Sequence, residues 1–296
     1  MNKKLLSLLL CSTLVLSLSA CGGDSDPKPV EDGSAASSSQ APEEETPSVT
    51  IQADTVLLEQ DGLVITAKEL VEDRIWGPGV SLLVENNSQQ NLTVTCSDLA
   101  VNNYMMTDLL FSADVAAGKK SNETLYLSEA GLEAAGIAAI SDIDVSFHVY
   151  DEGYSTVLDS ELICLPTSLS GTVEQPPMDQ GKELVDQDGL RIVARYVDED
   201  SFWGAGVLLF LENTGDRTVT VSCDDLSVNG FMVTSLFSQT VLPGKMALSE
   251  ISLLSSDLEE NGIEAVEDVE LTFRVYDPDS YQTLFNAGPV AFSVGE

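Results

Sequence analysis

One histidine, His148, and three cysteines beyond residue 21, Cys96, Cys164 and Cys223, bound the covalent chemistry open to this 296-residue chain. A zinc site built on two or more histidines is excluded, and a serine–histidine–acid triad would have to use His148. An odd number of cysteines cannot complete an internal disulfide framework. Carboxylates are abundant: Asp98, Asp225 and the runs Glu72-Asp73 and Asp198-Glu199-Asp200 all offer oxygens. Calcium needs six to eight oxygens converging on one point, and the Asp-x-Asp-x-Asp-Gly spacing that supplies them is missing, so these acids read as solvated loops. A hydrolytic carboxylate pair needs fixed positions about 5 to 9.5 Å apart in a cleft, and only scattered turn acids are present. No catalytic residue, metal ligand or cofactor is assigned, and the chain reads as a non-enzyme.

Binding chemistry has better candidates. Trp76-Gly77-Pro78-Gly79 recurs as Trp203-Gly204-Ala205-Gly206, where an indole beside flexible glycines could meet a sugar ring or a peptide. The competing reading makes Trp76 and Trp203 core anchors, with the glycines allowing a bend before the next strand. Asn102 and Asn229 each close a Val-Asn turn, followed closely by Tyr104 and Phe231. Those aromatics either form an exposed binding tip or fold back over the end of the domain.

The elements that must position these residues come in two copies. Gln60-Asp61-Gly62-Leu63 returns 127 residues later as Gln187-Asp188-Gly189-Leu190, and Thr93-Val94, Cys96 and Asp98-Leu99 return as Thr220-Val221, Cys223 and Asp225-Leu226. Past a one-residue deletion the offset is 126, which aligns Gly118-Lys119 with Gly244-Lys245 and Val149-Tyr150-Asp151 with Val275-Tyr276-Asp277. Within each copy the period is two: Leu92, Val94 and Cys96 face one side, and Val145, Phe147 and Val149 do the same. Turn signals such as Asp61-Gly62, Val228-Asn229-Gly230 and Asp277-Pro278-Asp279 separate the strands. One short helix per copy is expected, from Ser256-x-x-Glu259 with Gly262 in the second and Glu133 with Gly136 in the first. Seven or eight short strands in each copy predict an all-β chain of two tandem β-sandwiches. Expected bounds are 51–165 and 181–296, joined by a Ser-, Thr-, Gly- and Pro-rich linker at 166–180.

Lys3 and Lys4, an apolar run from Leu5 to Leu18 and small residues after it have the form of a signal peptide over 1–20. Leu18-Ser19-Ala20-Cys21 resembles the lipobox of bacterial lipoproteins. That resemblance implies lipid on Cys21, which would become the mature N-terminus anchored in a bilayer at the extracytoplasmic face. Residues 21–50 are rich in Gly, Ser, Pro, Asp and Glu and read as a disordered spacer. Without Lys3 and Lys4, 11 basic residues face 49 acidic ones, a charge of about −38 that repels nucleic acid.

The tandem order Asp-Gly-Leu, Glu-Asn, Val-Asn-Gly, Gly-Lys and Val-Tyr-Asp resembles the immunoglobulin-like repeats of uncharacterised lipoproteins from Gram-positive bacteria. The resemblance spans nearly all of residues 55–295 and implies sandwiches outside the cell, with no established activity or ligand. Asn103 stands where the second copy has Gly230, and the turn is expected to persist because Asn tolerates positive φ. The immunoglobulin comparison favours the core-anchor reading of the tryptophans. It also suggests a Cys96–Cys164 bridge, although Cys223 has no counterpart for Cys164 and three buried thiols are the simpler expectation. The expected function is a non-catalytic, membrane-anchored protein that binds an extracellular protein or glycan. An accessory subunit of a membrane complex and a wall or glycan hydrolase are the alternatives.

Overall fold

Alternating apolar residues become strands wherever a turn residue lets the chain reverse. The computed structural model describes residues 49–107 and 109–294. The signal segment, Cys21 and all of the acidic spacer except its last two residues lie outside them. In the first repeat the strands are β1 (Thr55–Gln60), β2 (Leu63–Asp73), β3 (Gly77–Asn86), β4 (Leu92–Val101), β5 (Tyr104–Met105), β6 (Ser112–Val115) and β7 (Lys119–Tyr126). Helix α1 (Glu129–Ala134) precedes β8 (Asp142–Asp151), β9 (Thr156–Asp159) and β10 (Ile163–Pro166). The second repeat runs through β11 (Lys182–Gln187), β12 (Leu190–Ser201), β13 (Gly204–Asn213), β14 (Val219–Val228), β15 (Phe231–Met232), β16 (Ser235–Leu236), β17 (Ser238–Val241) and β18 (Lys245–Leu254). It ends with α2 (Ser255–Glu260), β19 (Asp268–Tyr276) and β20 (Thr283–Ser293).

Each repeat is an antiparallel sandwich. In the first, β1-β2-β3-β7 faces β6-β4-β8, with β9 and β10 both paired to β8. The second repeats this order, with β11-β12-β13-β18 facing β17-β14-β19-β20. Strands β2, β3 and β7 against β6, β4, β8 and β9–β10 follow the immunoglobulin order of A, B, E against C′, C, F, G, with β1 added in front. The fold is therefore all-β, two tandem immunoglobulin-like sandwiches, each carrying one short helix.

The inward alternation holds: Val94, Phe147, Val149, Val221, Phe273 and Val275 are each 0 % exposed. Both helices end as expected, with Gly136 and Gly262 at positive φ and Ile137 and Ile263 amides donating back to the Leu132 and Leu258 carbonyls. The capping box at Ser256 does not form. Helix α2 starts two residues earlier, with Leu254 as its N-cap, and the Ser256 hydroxyl turns to Asp257. In the first repeat Ser128 caps instead, accepting from the Gly131 amide.

The 166–180 segment is held against the first repeat. Thr167 pairs with Ile51, and Gln175 Nε2 donates to the Ala135 carbonyl at 3.0 Å. Tyr104 Oη donates to the Pro176 carbonyl and accepts from the Met178 amide at 2.7 Å. Beyond this segment β5 pairs in parallel with β18 through Tyr104 and Met246, so one sheet of 11 strands runs across both repeats. Val193 and Phe210 of the second repeat belong to the first repeat's core, with Met246 and Leu248 packed beside them. A buried pair closes this joint: Lys245 Nζ lies 2.5 Å from Asp144 Oδ2 and donates to Asn103 Oδ1 at 3.0 Å.

Candidate functional site

The hairpins that join β2 to β3 and β12 to β13 carry the tryptophans, and neither indole enters a core. Trp76 is 54 % exposed and Trp203 55 %. The immunoglobulin analogy fails here because both residues lie in the turn between the A and B strands, outside the sandwich. At the first tip Asp73 Oδ1 accepts from the amides of Ile75 (2.7 Å) and Trp76 (3.0 Å). These two donors favour the ionised carboxylate and hold Asp73 below its ordinary range. Gly77 then turns the chain at φ 73°, where a Cβ would meet Glu129 Cβ at 2.9 Å, so a side chain there would be strained as well as crowded.

Around Trp76 the surface is apolar and open. Ile75 is 79 % and Leu110 82 % exposed. Tyr126 supports the indole at 6.1 Å between ring centres, and Ser128, Glu129 and Ala130 complete a hollow of about 420 Å³. The second repeat keeps the composition with a different support. Ile75, Trp76 and Leu110 correspond to Phe202, Trp203 and Leu236, all exposed. Ser252 stands at the position of Tyr126, and the Phe202 ring instead meets Trp203 edge-on at 4.9 Å. Exposure of three large apolar side chains at equivalent points of both repeats sets these tips apart from scattered surface hydrophobics, which need no explanation.

The remaining turn candidates divide. Asn102 is buried at positive φ, its Oδ1 accepting from the Ser141 amide and hydroxyl and its Nδ2 donating to the Ala139 carbonyl. Asn229 repeats this, bonding the Glu267 and Asp268 amides and the Ala265 carbonyl. Both amide groups are occupied by backbone and are not free for a ligand. Tyr104, 1 % exposed, folds back into the joint, whereas its counterpart Phe231 stays 48 % exposed. The structure thus leaves Trp76, Trp203 and Phe231 at the surface and withdraws Tyr104, Asn102 and Asn229.

The three cysteines are free thiols. Cys96 on β4 and Cys164 on β10 belong to one sheet with β8 between them, two strand spacings (roughly 9.6 Å) apart sideways and also staggered along β8, where they face Phe147 and Asp144, beyond disulfide reach. The expectation of three buried thiols fails at Cys164, which is exposed, while Cys96 is half-buried. Burial chiefly pushes Cys96 up to about 12 and Cys223 up to about 11, and at the more exposed Cys164 partial desolvation with the Asp144 and Asp142 carboxylates beside it pushes the thiol up to about 11, so none is a ready thiolate at neutral pH. His148 Nδ1 meets Asp159 Oδ1 at 2.5 Å, and Asp98 accepts from Ser146 Oγ at 2.7 Å. Asp98 and Asp225 lie at the β4 and β14 bulges of separate repeats. Among the described residues no group of three potential metal ligands converges.

Sequence reasoning missed a second repeated surface. On the outer faces of β8 and β19, His148 adjoins Tyr150 and Arg274 lies 4.9 Å over Tyr276. Tyr154 stacks on Tyr150 at 5.7 Å and Tyr281 on Tyr276 at 6.2 Å. Both outer tyrosines have positive φ and are largely exposed, 84 % and 71 %. The signal was the paired Val-Tyr-Asp, followed at unequal spacing by another tyrosine.

No protein-family model matches the chain, and no curated protein matches it. Among solved structures it aligns with the YadV chaperone at 12 % identity and TM-score 0.22, over 73 % of this chain and 92 % of that one. The Salmonella enterica SafA pilin in complex with the SafB chaperone aligns at 13 % identity and TM-score 0.20, covering 83 % and 96 %. The Amycolatopsis orientalis exo-chitosanase CsxA aligns at 14 % identity and TM-score 0.24, over 79 % of this chain but only 26 % of that enzyme. At these TM-scores the fold assignment rests on strand order alone.

Proposed function

We propose that this is a lipid-anchored, non-catalytic binding protein of the extracytoplasmic face, which captures a protein partner through its two tryptophan-tipped hairpins. One observation carries the reading: the trio Ile75, Trp76 and Leu110 and the trio Phe202, Trp203 and Leu236 are exposed at matching positions of both repeats. Burying a large apolar side chain fully is worth about 1.5–3 kcal/mol, so leaving six exposed forgoes stability that a partner recovers. Glu129 on the rim of the first hollow favours a partner with a basic residue beside its apolar anchor. Two linked tips raise avidity when both engage one target. The anchor is supported by Leu18-Ser19-Ala20-Cys21 and by the acidic spacer behind it.

A photo-crosslinking side chain placed at position 75 or 202 in living cells tests this. The expected result is one common adduct from both positions, weakened by Leu110→Ser and Leu236→Ser respectively. Absence of any adduct from either position, in cells where the protein is present at the membrane, refutes the binding role. Labelled fatty acid incorporated by the wild type and lost in Cys21→Ala tests the anchor separately.

A second reading, saccharide binding, is favoured by the exposed faces of Tyr154 and Tyr281, since sugar rings stack on aromatic planes. It predicts that soluble glycans quench tyrosine emission in the wild type and not in Tyr154→Ala/Tyr281→Ala.

A further inference from the structure

The joint between the repeats uses only half of what the duplication provides. The first repeat contributes the end of its C–F sheet: Asn103, Tyr104 and Asp144. The second contributes the outer edge of its opposite sheet, where Lys245 and Met246 begin β18. There the Met246 amide donates to the Asn103 carbonyl at 2.9 Å, and the Lys245–Asp144 pair is sealed beneath, at 9 % and 10 % side-chain exposure. Because the repeats are copies, each half has an unused twin elsewhere in the same chain.

The twin of the first half is the free end of the second repeat. Gly230, Phe231 and Glu270 occupy the positions of Asn103, Tyr104 and Asp144. All three are exposed, and a Cβ on Gly230 would meet nothing within 4 Å. Phe231 and its neighbour Met232 leave apolar surface at 48 % and 64 % exposure. The twin of the second half is the start of β7. Lys119 and Lys120 match Lys245 and Met246, both are exposed, and among the described residues β7 is the outer strand of its sheet, paired with β3 alone. The charges are complementary as they stand. Glu267, Asp268 and Glu270 cluster at the free end, while Lys119 leads the β7 edge at the other, beside Lys120, which pairs with Glu85.

We infer that the occupant of each unused half is a second copy of this chain, docking head-to-tail by repeating the internal joint. Glu270 and the Gly230–Phe231–Met232 edge of one molecule meet Lys119 and the β7 edge of the next. This is a heterologous contact, so it extends into a row unless it closes into a ring. The contact is weaker than the internal joint for an identifiable reason. Phe210, Val193 and Leu248, which pack the internal joint, are replaced at the twin face by Leu83, Thr66 and Asn122. The Lys–Glu pair and the backbone contact survive, while the amide oxygen that Asn103 offers Lys245 has no counterpart at Gly230 and most of the apolar part is lost. Such a contact forms where molecules are crowded on a surface and is sparse in dilute solution.

Sedimentation velocity of a chain starting at Pro47, which keeps both cores, up to about 500 μM tests this. The expected result is concentration-dependent growth beyond the monomer, reduced by salt. Lys119→Glu alone and Glu270→Lys alone each weaken association at least about tenfold through like-charge contact. Mixing the two variants restores it, because the carboxylate introduced at position 119 of one then faces the ammonium introduced at position 270 of the other. Since both residues are exposed, unchanged melting temperatures show that the variants remain folded. A wild type that stays monomeric throughout overturns the proposal. So does association that ignores both charge reversals, or variants that fail to rescue each other on mixing.

Discussion

Removing one partner of the Lys245–Asp144 pair will destabilise the chain far more than removing both. The two side chains are 9 % and 10 % exposed and 2.5 Å apart, with Asn103 Oδ1 as the third member. Asp144→Ala leaves an ammonium group at the joint with a single amide oxygen to face it. Stranding a buried charge costs about 3–5 kcal/mol. With a urea m-value of about 2 kcal/mol/M, a loss of about 3 kcal/mol lowers the midpoint by roughly 1.5 M. Trp76 and Trp203 sit in different repeats, so Trp203→Phe and Trp76→Phe backgrounds report each repeat by fluorescence. Both reporters should shift in Asp144→Ala, because Val193 and Phe210 tie the second repeat to the first core. Asp144→Leu combined with Lys245→Met removes both charges and should recover stability to within about 1 kcal/mol of the wild type. A single-variant cost below about 1 kcal/mol would mean that water reaches the pair and that the joint opens. That result would undo the argument that it is sealed.

Other outcomes follow from the same geometry. Tryptophan emission should be red-shifted and readily quenched by acrylamide, since both indoles are more than half exposed; blue-shifted, protected emission would place them against something. Asn102→Ala should cost about 2–3 kcal/mol in a denaturant titration, because it strands the buried Ser141 amide and Ala139 carbonyl; a neutral effect would show that water takes over those bonds. Thiol labelling at pH 8 should modify Cys164 first and slowly, with Cys96 and Cys223 reacting only on unfolding. The thiol values are raised by burial, from 9.0 to about 12 for Cys96, so the folded state holds its proton longer than the unfolded one. Their contribution to stability is therefore complete below pH 9 and declines between about pH 9 and 12, where Cys96→Val should flatten the measured stability profile.

Sequence alone determined the strands, the duplication and the class of fold. Period-two alternation at Leu92, Val94, Val145, Phe147 and Val149 specifies which face is buried, and Asp61-Gly62 or Asn229-Gly230 specifies where the chain reverses, because both are local. It also placed Gly136 and Gly262 at the ends of the helices. The tertiary structure decided everything that depends on which strands become neighbours. Only strand order shows that Cys96 and Cys164 share a sheet two strands apart, out of disulfide reach, and that the tryptophans sit on a hairpin tip rather than in a core. The same is true of equal residues given unequal roles: Tyr104 is buried and Phe231 exposed, and Lys245 is sealed in a joint while Lys119 faces solvent. A repeated sequence specifies the module twice, but burial of an exposed edge depends on what the other module brings to it. That contact between residues more than a hundred positions apart leaves no periodic trace in the chain.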